Sequence, residues 1–147
     1  MFRLTLLVVG KMKNRHLKAL CDDFSGRLQR QAKLEIIELK DAGIDAESER
    51  ILATIQARPE ALVWAMAEEG RTMSSVSLAK EISQLQGREL LMVIGGPYGL
   101  SDAVKHQASR LIALSPMTFT HEMARYLLLE QLYRGVSIIA GSKYHHE

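Results

Sequence analysis

Apolar runs alternate with stretches of helical periodicity along the whole chain. Phe2–Val9 reads as a buried strand closed by Gly10. Asn14 then caps a helix in which Leu17, Leu20, Cys21, Phe24 and Leu28 recur at three- and four-residue steps on one face. Leu34–Leu39 is a second strand, and Asp45 caps a second helix with Ile51, Leu52 and Ile55 inward, ending near Pro59. Ala61–Ala67 is a third strand, and the polar stretch Glu68–Thr72 reads as a turn. Ser74 or Ser75 opens a third helix carrying Leu78, Ile82 and Leu85, closed by Gly87. Leu90–Ile94 is apolar throughout, as a strand covered by helices on both faces must be. Gly95–Gly99 is a tight loop, and Ser101 caps a short helix to about Ala108. Leu111–Leu114 is a fifth, short strand. Thr118 or Thr120 starts the last helix, which runs to about Ile139 and stops at Gly141, leaving the tail Ser142–Glu147.

This alternation predicts an α/β fold, a mostly parallel sheet with helices on both sides, in one domain over residues 1–147. In such sheets ligands sit beyond the carboxyl ends of the strands. Two loops fall there: Gly95–Leu100 after the fourth strand and Ser115–Thr120 after the fifth.

Composition narrows the class. The 147 residues are 47% hydrophobic and 24% charged, the balance of a folded globular chain rather than a disordered one. The apolar stretch Leu4–Val9 is far too short to span a bilayer, and no signal peptide is visible, so a cytoplasmic location is expected. One cysteine, Cys21, excludes an internal disulfide and a multi-cysteine metal site, and its apolar neighbours make it a core residue. The net charge of +2 hides an asymmetry: the first 40 residues carry +5 and residues 41–90 carry −4. Lys11, Lys13, Arg15 and Lys18 suit a phosphate backbone, and equally suit a solvated helix face.

The loops restrict the chemistry further. Ile94–Leu100 lacks the Lys-Ser/Thr end of a P-loop and the spacing of a dinucleotide fingerprint, so triphosphate hydrolysis and nicotinamide chemistry lose support. Leu114-Ser115-Pro116-Met117-Thr118-Phe119-Thr120-His121 is a short apolar loop with exposed backbone running into a helix start, which can grip an adenine through main-chain hydrogen bonds. Taken singly, it is also a plain strand-to-helix connection. His121 and Arg125, four residues apart, share a face of the last helix. Glu130 and Arg134 read as a surface ion pair, and Tyr133 as core packing. His145 and His146 have no third ligand nearby, so no metal is expected.

Together the pieces carry a resemblance. Gly10-Lys11 after the first strand, Ile94-Gly95-Gly96-Pro97-Tyr98-Gly99-Leu100, Leu114–His121, Leu127-Leu128-Leu129-Glu130-Gln131-Leu132-Tyr133-Arg134 and a terminal Tyr144-His145 stand in one order along the chain. The chain resembles the ribosomal RNA large-subunit methyltransferases that place a methyl on N3 of a pseudouridine in 23S ribosomal RNA, the smallest branch of the SPOUT class. The resemblance covers essentially the whole chain and is strongest from Leu90 onward. His146 stands where that family usually has Arg or Lys.

The resemblance implies a SPOUT-type fold with a C-terminal deep trefoil knot, a homodimer, bound S-adenosylmethionine and, as partner, 23S ribosomal RNA within the ribosome. By motif, Met66, Gly95, Leu114, Ser115, Pro116, Met117, Thr118 and Phe119 would touch the cofactor. His121, Tyr133 and His145 are the catalytic candidates, and Lys11, Arg125, Arg134 and His146 the substrate-binding ones. Methyl transfer from a sulfonium needs no metal, because the leaving group departs neutral. His121 and Tyr133 lie about 18 Å apart along one helix, so an active site shared between subunits is expected. Two rivals stay open at this level: a non-catalytic RNA-binding or ribosome-assembly module, and another small nucleotide-binding α/β domain.

Overall fold

The computed structural model describes residues 1–146; Glu147, the last residue of the expected tail, lies outside them. Five strands form one parallel sheet in the order β2-β1-β4-β3-β5. They are β1 Phe2–Val9, β2 Ala32–Leu39, β3 Leu62–Arg71, β4 Glu89–Ile94 and β5 Arg110–Ile112. The helices between and after them are α1 Arg15–Gln29, α2 Ile44–Gln56, α3 Ser75–Ser83, α4 Asp102–Gln107 and α5 His121–Ile139. No helix among the described residues is long and apolar enough to cross a membrane.

The two central strands show why the sheet is covered twice. Side chains alternate across a strand. Leu4, Leu6 and Val8 of β1, with Leu90, Met92 and Ile94 of β4, therefore face α1, α3 and α5. Leu7 and Val9, with Leu91 and Val93, face the other way, onto Ile51 and Ile55 of α2 and Val104 of α4. Cys21 is buried in the first of these cores, which pushes its thiol up to about 11 and leaves it a packing residue, as its neighbours in sequence suggested.

Local capping signals decide most helix starts. Asn14, Ser74, Ser101 and Thr120 each accept a backbone N–H of the following turn. Thr120, not Thr118, therefore begins α5. Asp45 does not cap α2: Gly43 holds that position at φ +86°, and Glu47 reaches back to accept from the backbone N–H of Ala42 and Gly43 at 2.9 and 2.8 Å. Leu20, placed by its spacing on the inner face of α1, is 40% exposed, because the face that meets the sheet is narrower and centres on Cys21, Phe24 and Leu28.

The largest departure from the periodicity is at the end of β3. The polar stretch expected to turn continues the strand to Arg71. Met66 and Arg71 both pair with Ile112 of β5, with a register shift between them, and Ala113 donates to the carbonyl of Arg71 at 2.9 Å. Gly70 permits this: a Cβ there would stand 2.6 Å from the backbone of Leu111 and Ile112. The polar side chains Glu68 and Glu69 stay exposed, which is why the segment carries no apolar pattern.

Candidate functional site

A cavity of about 390 Å³ opens near the carboxyl ends of β3 and β5, between α3, α5 and the loop before α5. Met66, Leu114 and Phe119 line it, three of the side chains expected at the cofactor. Its walls are otherwise apolar, with Met73 and Met92 prominent; polar atoms come from the start of α3 and from Gln131. Ser75 donates to Gln131 Oε1 at 2.6 Å, and Gln131 Nε2 donates to Glu130 at 2.9 Å. Although Gln131 falls within the Leu127–Arg134 stretch, the sequence assigns neither Ser75 nor Gln131 a role at the site. Ser75 reads there as a possible helix opening, and the one hint at Gln131 is a polar residue between Leu129 and Leu132.

The remaining cofactor candidates are placed differently. Ser115 is half-buried and accepts the Met117 N–H at 3.0 Å, which folds the loop into a turn and leaves Pro116, Met117 and Thr118 exposed at its tip. Gly95 is buried at the end of β4. A Cβ on it would lie 2.6 Å from the Gly99 carbonyl oxygen, so the space beside Gly95 is filled by its own loop. Gly99 turns that loop at φ +78°.

The candidates on α5 fall into two groups. At its start, His121 is half-buried beside the cavity loop. Arg125, one turn on, is buried with 6% of its side chain exposed. Its guanidinium donates to Glu38 at 2.7 Å and to the Gly10 carbonyl at 2.8 Å, so it ties the ends of β1 and β2 to the helix. Lys11 is exposed just beyond Gly10.

Tyr133, Arg134 and His145 meet at the other end of the helix. Tyr144 places its ring 4.8 Å from that of Tyr133 and 6.5 Å from that of Phe24, edge to face in both cases. Its hydroxyl donates to Glu130 at 2.9 Å. Arg134 pairs with the same Glu130 carboxylate, stacks 4.8 Å over the Tyr144 ring, and lies 3.1 Å from His145 Nδ1. Burial and the Glu130 contact push the Tyr144 hydroxyl up to about 12, so it stays a donor. The Glu130 hydrogen bond also raises Arg134 above its ordinary range. Glu130 and Arg134 are therefore not a surface pair: their side chains are 13% and 24% exposed, and they anchor the tail. The tail lies on α5 of its own chain, with His146 exposed at its end.

An apolar hollow with a few polar atoms at one rim, at the carboxyl ends of parallel strands, suits a small ligand with an apolar body and a polar end. The fit extends to a nucleoside-bearing cofactor: the cavity has that order of size, and the exposed loop from Ser115 to Thr120 borders it through Phe119.

Comparison with known proteins agrees. The profile of the family described as "Predicted SPOUT methyltransferase" matches residues 2–145. The chain is 42% identical over 156 residues to the ribosomal RNA large subunit methyltransferase H of Syntrophotalea carbinolica, covering 98% of this chain and 99% of that one. It is 39% identical over 158 residues to the protein of that name from Bacillus pumilus, covering 97% and 98%. Among solved structures, a probable methylase family protein from Haemophilus influenzae shares the fold at a TM-score of 0.60 and 12% identity, over 99% of this chain and 70% of that one. The strand-end cavity, the loop that borders it and the match from one end of the chain to the other have one reading: this chain belongs to the SPOUT methyltransferase family.

Proposed function

We propose that the protein transfers a methyl group from S-adenosylmethionine to N3 of a pseudouridine in 23S ribosomal RNA, on the assembled ribosome in the cytoplasm. The observation that carries this is the cavity bordered by Met66, Leu114 and Phe119, in a chain matched to a methyltransferase family over nearly its full length. The relatives named for large-subunit ribosomal RNA supply the substrate class. The RNA position rests on the motif resemblance. The sulfonium, when bound, supplies an electrophilic methyl carbon and leaves as a neutral thioether.

The chain's own residues must hold the acceptor nitrogen in line with that carbon and help its proton leave. His121, at the first turn of α5 beside the cavity loop, is the proton relay of this reading. Arg134, held by Glu130, keeps His145 beside it as the second proton-transfer group of this reading, and Arg134, Lys11 and His146 contact the RNA. Arg125, buried against Glu38, acts on substrate only indirectly, by fixing the loop that bears Lys11. In the same reading β5 and α5 belong to a deep trefoil knot.

The active site is shared across a homodimer. His145 is anchored to Arg134, thirteen residues beyond His121 on one straight helix, about 20 Å of rise. One chain cannot bring both histidines to one base, whereas two chains can. Calorimetry with S-adenosylmethionine, followed by transfer of a labelled methyl group to ribosomes lacking it, tests the reaction; a protein that binds no cofactor refutes it. Mixing His121→Ala with His145→Ala tests the sharing. Each variant alone is inactive, and mixed dimers regain part of the activity; no recovery refutes the shared site.

A further inference from the structure

The first turn of α5 holds a loop more than a hundred residues away in sequence, and the reaction proposed above does not by itself call for it. Glu122 Oε1 accepts the backbone N–H groups of Lys13 and Asn14 at 2.8 and 2.9 Å. Arg125, three residues on, holds the Gly10 carbonyl at the other end of the same loop. The loop Gly10–Asn14 is thus clamped at both ends by one helix. Between the clamps it exposes Lys11 and Lys13. Asn14 also caps α1, accepting from His16 and Leu17 at 3.0 and 3.1 Å, so the clamp fixes where α1 begins and where Arg15 and Lys18 stand. On its other side, the same helix start is capped by Thr120, the last residue of the loop bordering the cavity.

We infer that Glu122 is a positioning residue for RNA: it holds the basic loop Gly10–Asn14 against the start of α5, so that phosphate contacts and the cavity are kept in one frame. This rests on the proposed reaction. A carboxylate oxygen accepting two successive main-chain N–H groups is a strong, charge-assisted arrangement. Those bonds hold Glu122 below the ordinary carboxylate range, so the clamp stays ionised near neutrality. A loop of alternating lysines without such a tether would lose entropy on meeting phosphate and bind more weakly.

The test is steady-state kinetics on ribosomes lacking the methyl group, with cofactor affinity and melting temperature measured on the same preparations. Glu122→Ala should raise KM for ribosomes about fivefold or more, with kcat and cofactor Kd within about twofold. Glu122→Gln keeps an oxygen that can accept both N–H groups and should restore most of the loss. In a double-mutant cycle with Lys11→Ala/Lys13→Ala the effects should be strongly non-additive, because the clamp acts through those lysines. Additive effects, an unchanged KM, or equal losses in cofactor binding and ribosome binding each overturn the inference. If the wild-type protein transfers no methyl group, the proposed reaction fails on its own. Ribosome binding at two salt concentrations then decides on Glu122: salt-sensitive binding that Glu122→Ala leaves unweakened overturns the clamp.

Discussion

The two ends of the sheet make opposite use of their hollows. The larger one, about 700 Å³, lies at the amino ends of β1 and β4, lined by Arg3, Arg58, Glu60, Arg88 and Glu89 among others. Two of its charges, Arg58 and Glu89, pair with each other. Arg58 donates to buried Glu89 at 2.5 Å and to Glu35 at 2.6 Å, Thr5 donates to the same Glu89 oxygen, and Arg88 holds the Glu60 carbonyl. The hollow at the carboxyl ends is about half that volume, yet it is bounded by an exposed loop and by Leu127, Leu128 and Gln131 of α5. Volume alone therefore does not distinguish them. At the amino end Arg58 and Glu89 are held by each other and by Glu35 and Thr5, which serves stability. At the carboxyl end the Pro116–Phe119 stretch is exposed beside an apolar hollow, at the strand ends where parallel sheets take ligands.

Perturbing each end should therefore change a different quantity. Deleting Tyr144–Glu147 should have the largest effect, lowering methyl transfer by at least about a hundredfold, the loss typical of a positioned proton-transfer group. Cofactor affinity should stay within about threefold, because the tail's contacts are to Glu130, Arg134, Tyr133 and Phe24 rather than to the cavity. Full activity of the truncated enzyme on ribosomes would leave the tail without a role.

Ser75→Phe should come next. It projects a ring into the 390 Å³ cavity and removes the Gln131 contact, and should weaken cofactor binding at least about tenfold in calorimetry while the protein remains folded. Unaltered affinity would move the cofactor elsewhere. Ser75 is a better probe than Gly95, where any side chain first strikes the Gly99 carbonyl.

The amino end should answer in stability alone. Glu89→Gln weakens the charge-assisted bond from Arg58 and should cost about 1 kcal/mol in denaturant unfolding, with methyl transfer unchanged. A fall in activity beyond the fraction unfolded would mean that the two ends communicate.

The smallest effect is a titration. Because the folded Tyr144 hydroxyl is raised to about 12, its contribution to stability is complete below the ordinary tyrosine value near 10 and fades as pH climbs toward 12. The tail should loosen over that window, visible as a late tyrosinate absorbance step that Tyr144→Phe removes.

Much of the architecture was legible in the residue order, for a physical reason: its determinants are local. Alternation in β1 and β4 follows from the pleat, and the starts of α1, α3, α4 and α5 follow from side chains that cap within three residues. The loop Leu114–His121 could be marked because strand ends and exposed backbone have a sequence pattern. What the tertiary structure alone decided are contacts with no local signature. Arg125, matched with His121 by spacing, is buried because Glu38, 87 positions away in sequence, folds against it. Glu68–Arg71 continue a strand because Ile112 of β5 pairs with Arg71 and Gly70 lets it approach. Glu130 and Arg134, ordinary neighbours on a helix, become an anchor only when Tyr144 folds back onto them. Helix and strand periodicities report which face is apolar, whereas a hydrogen bond between distant segments depends on the three-dimensional packing that first brings them together.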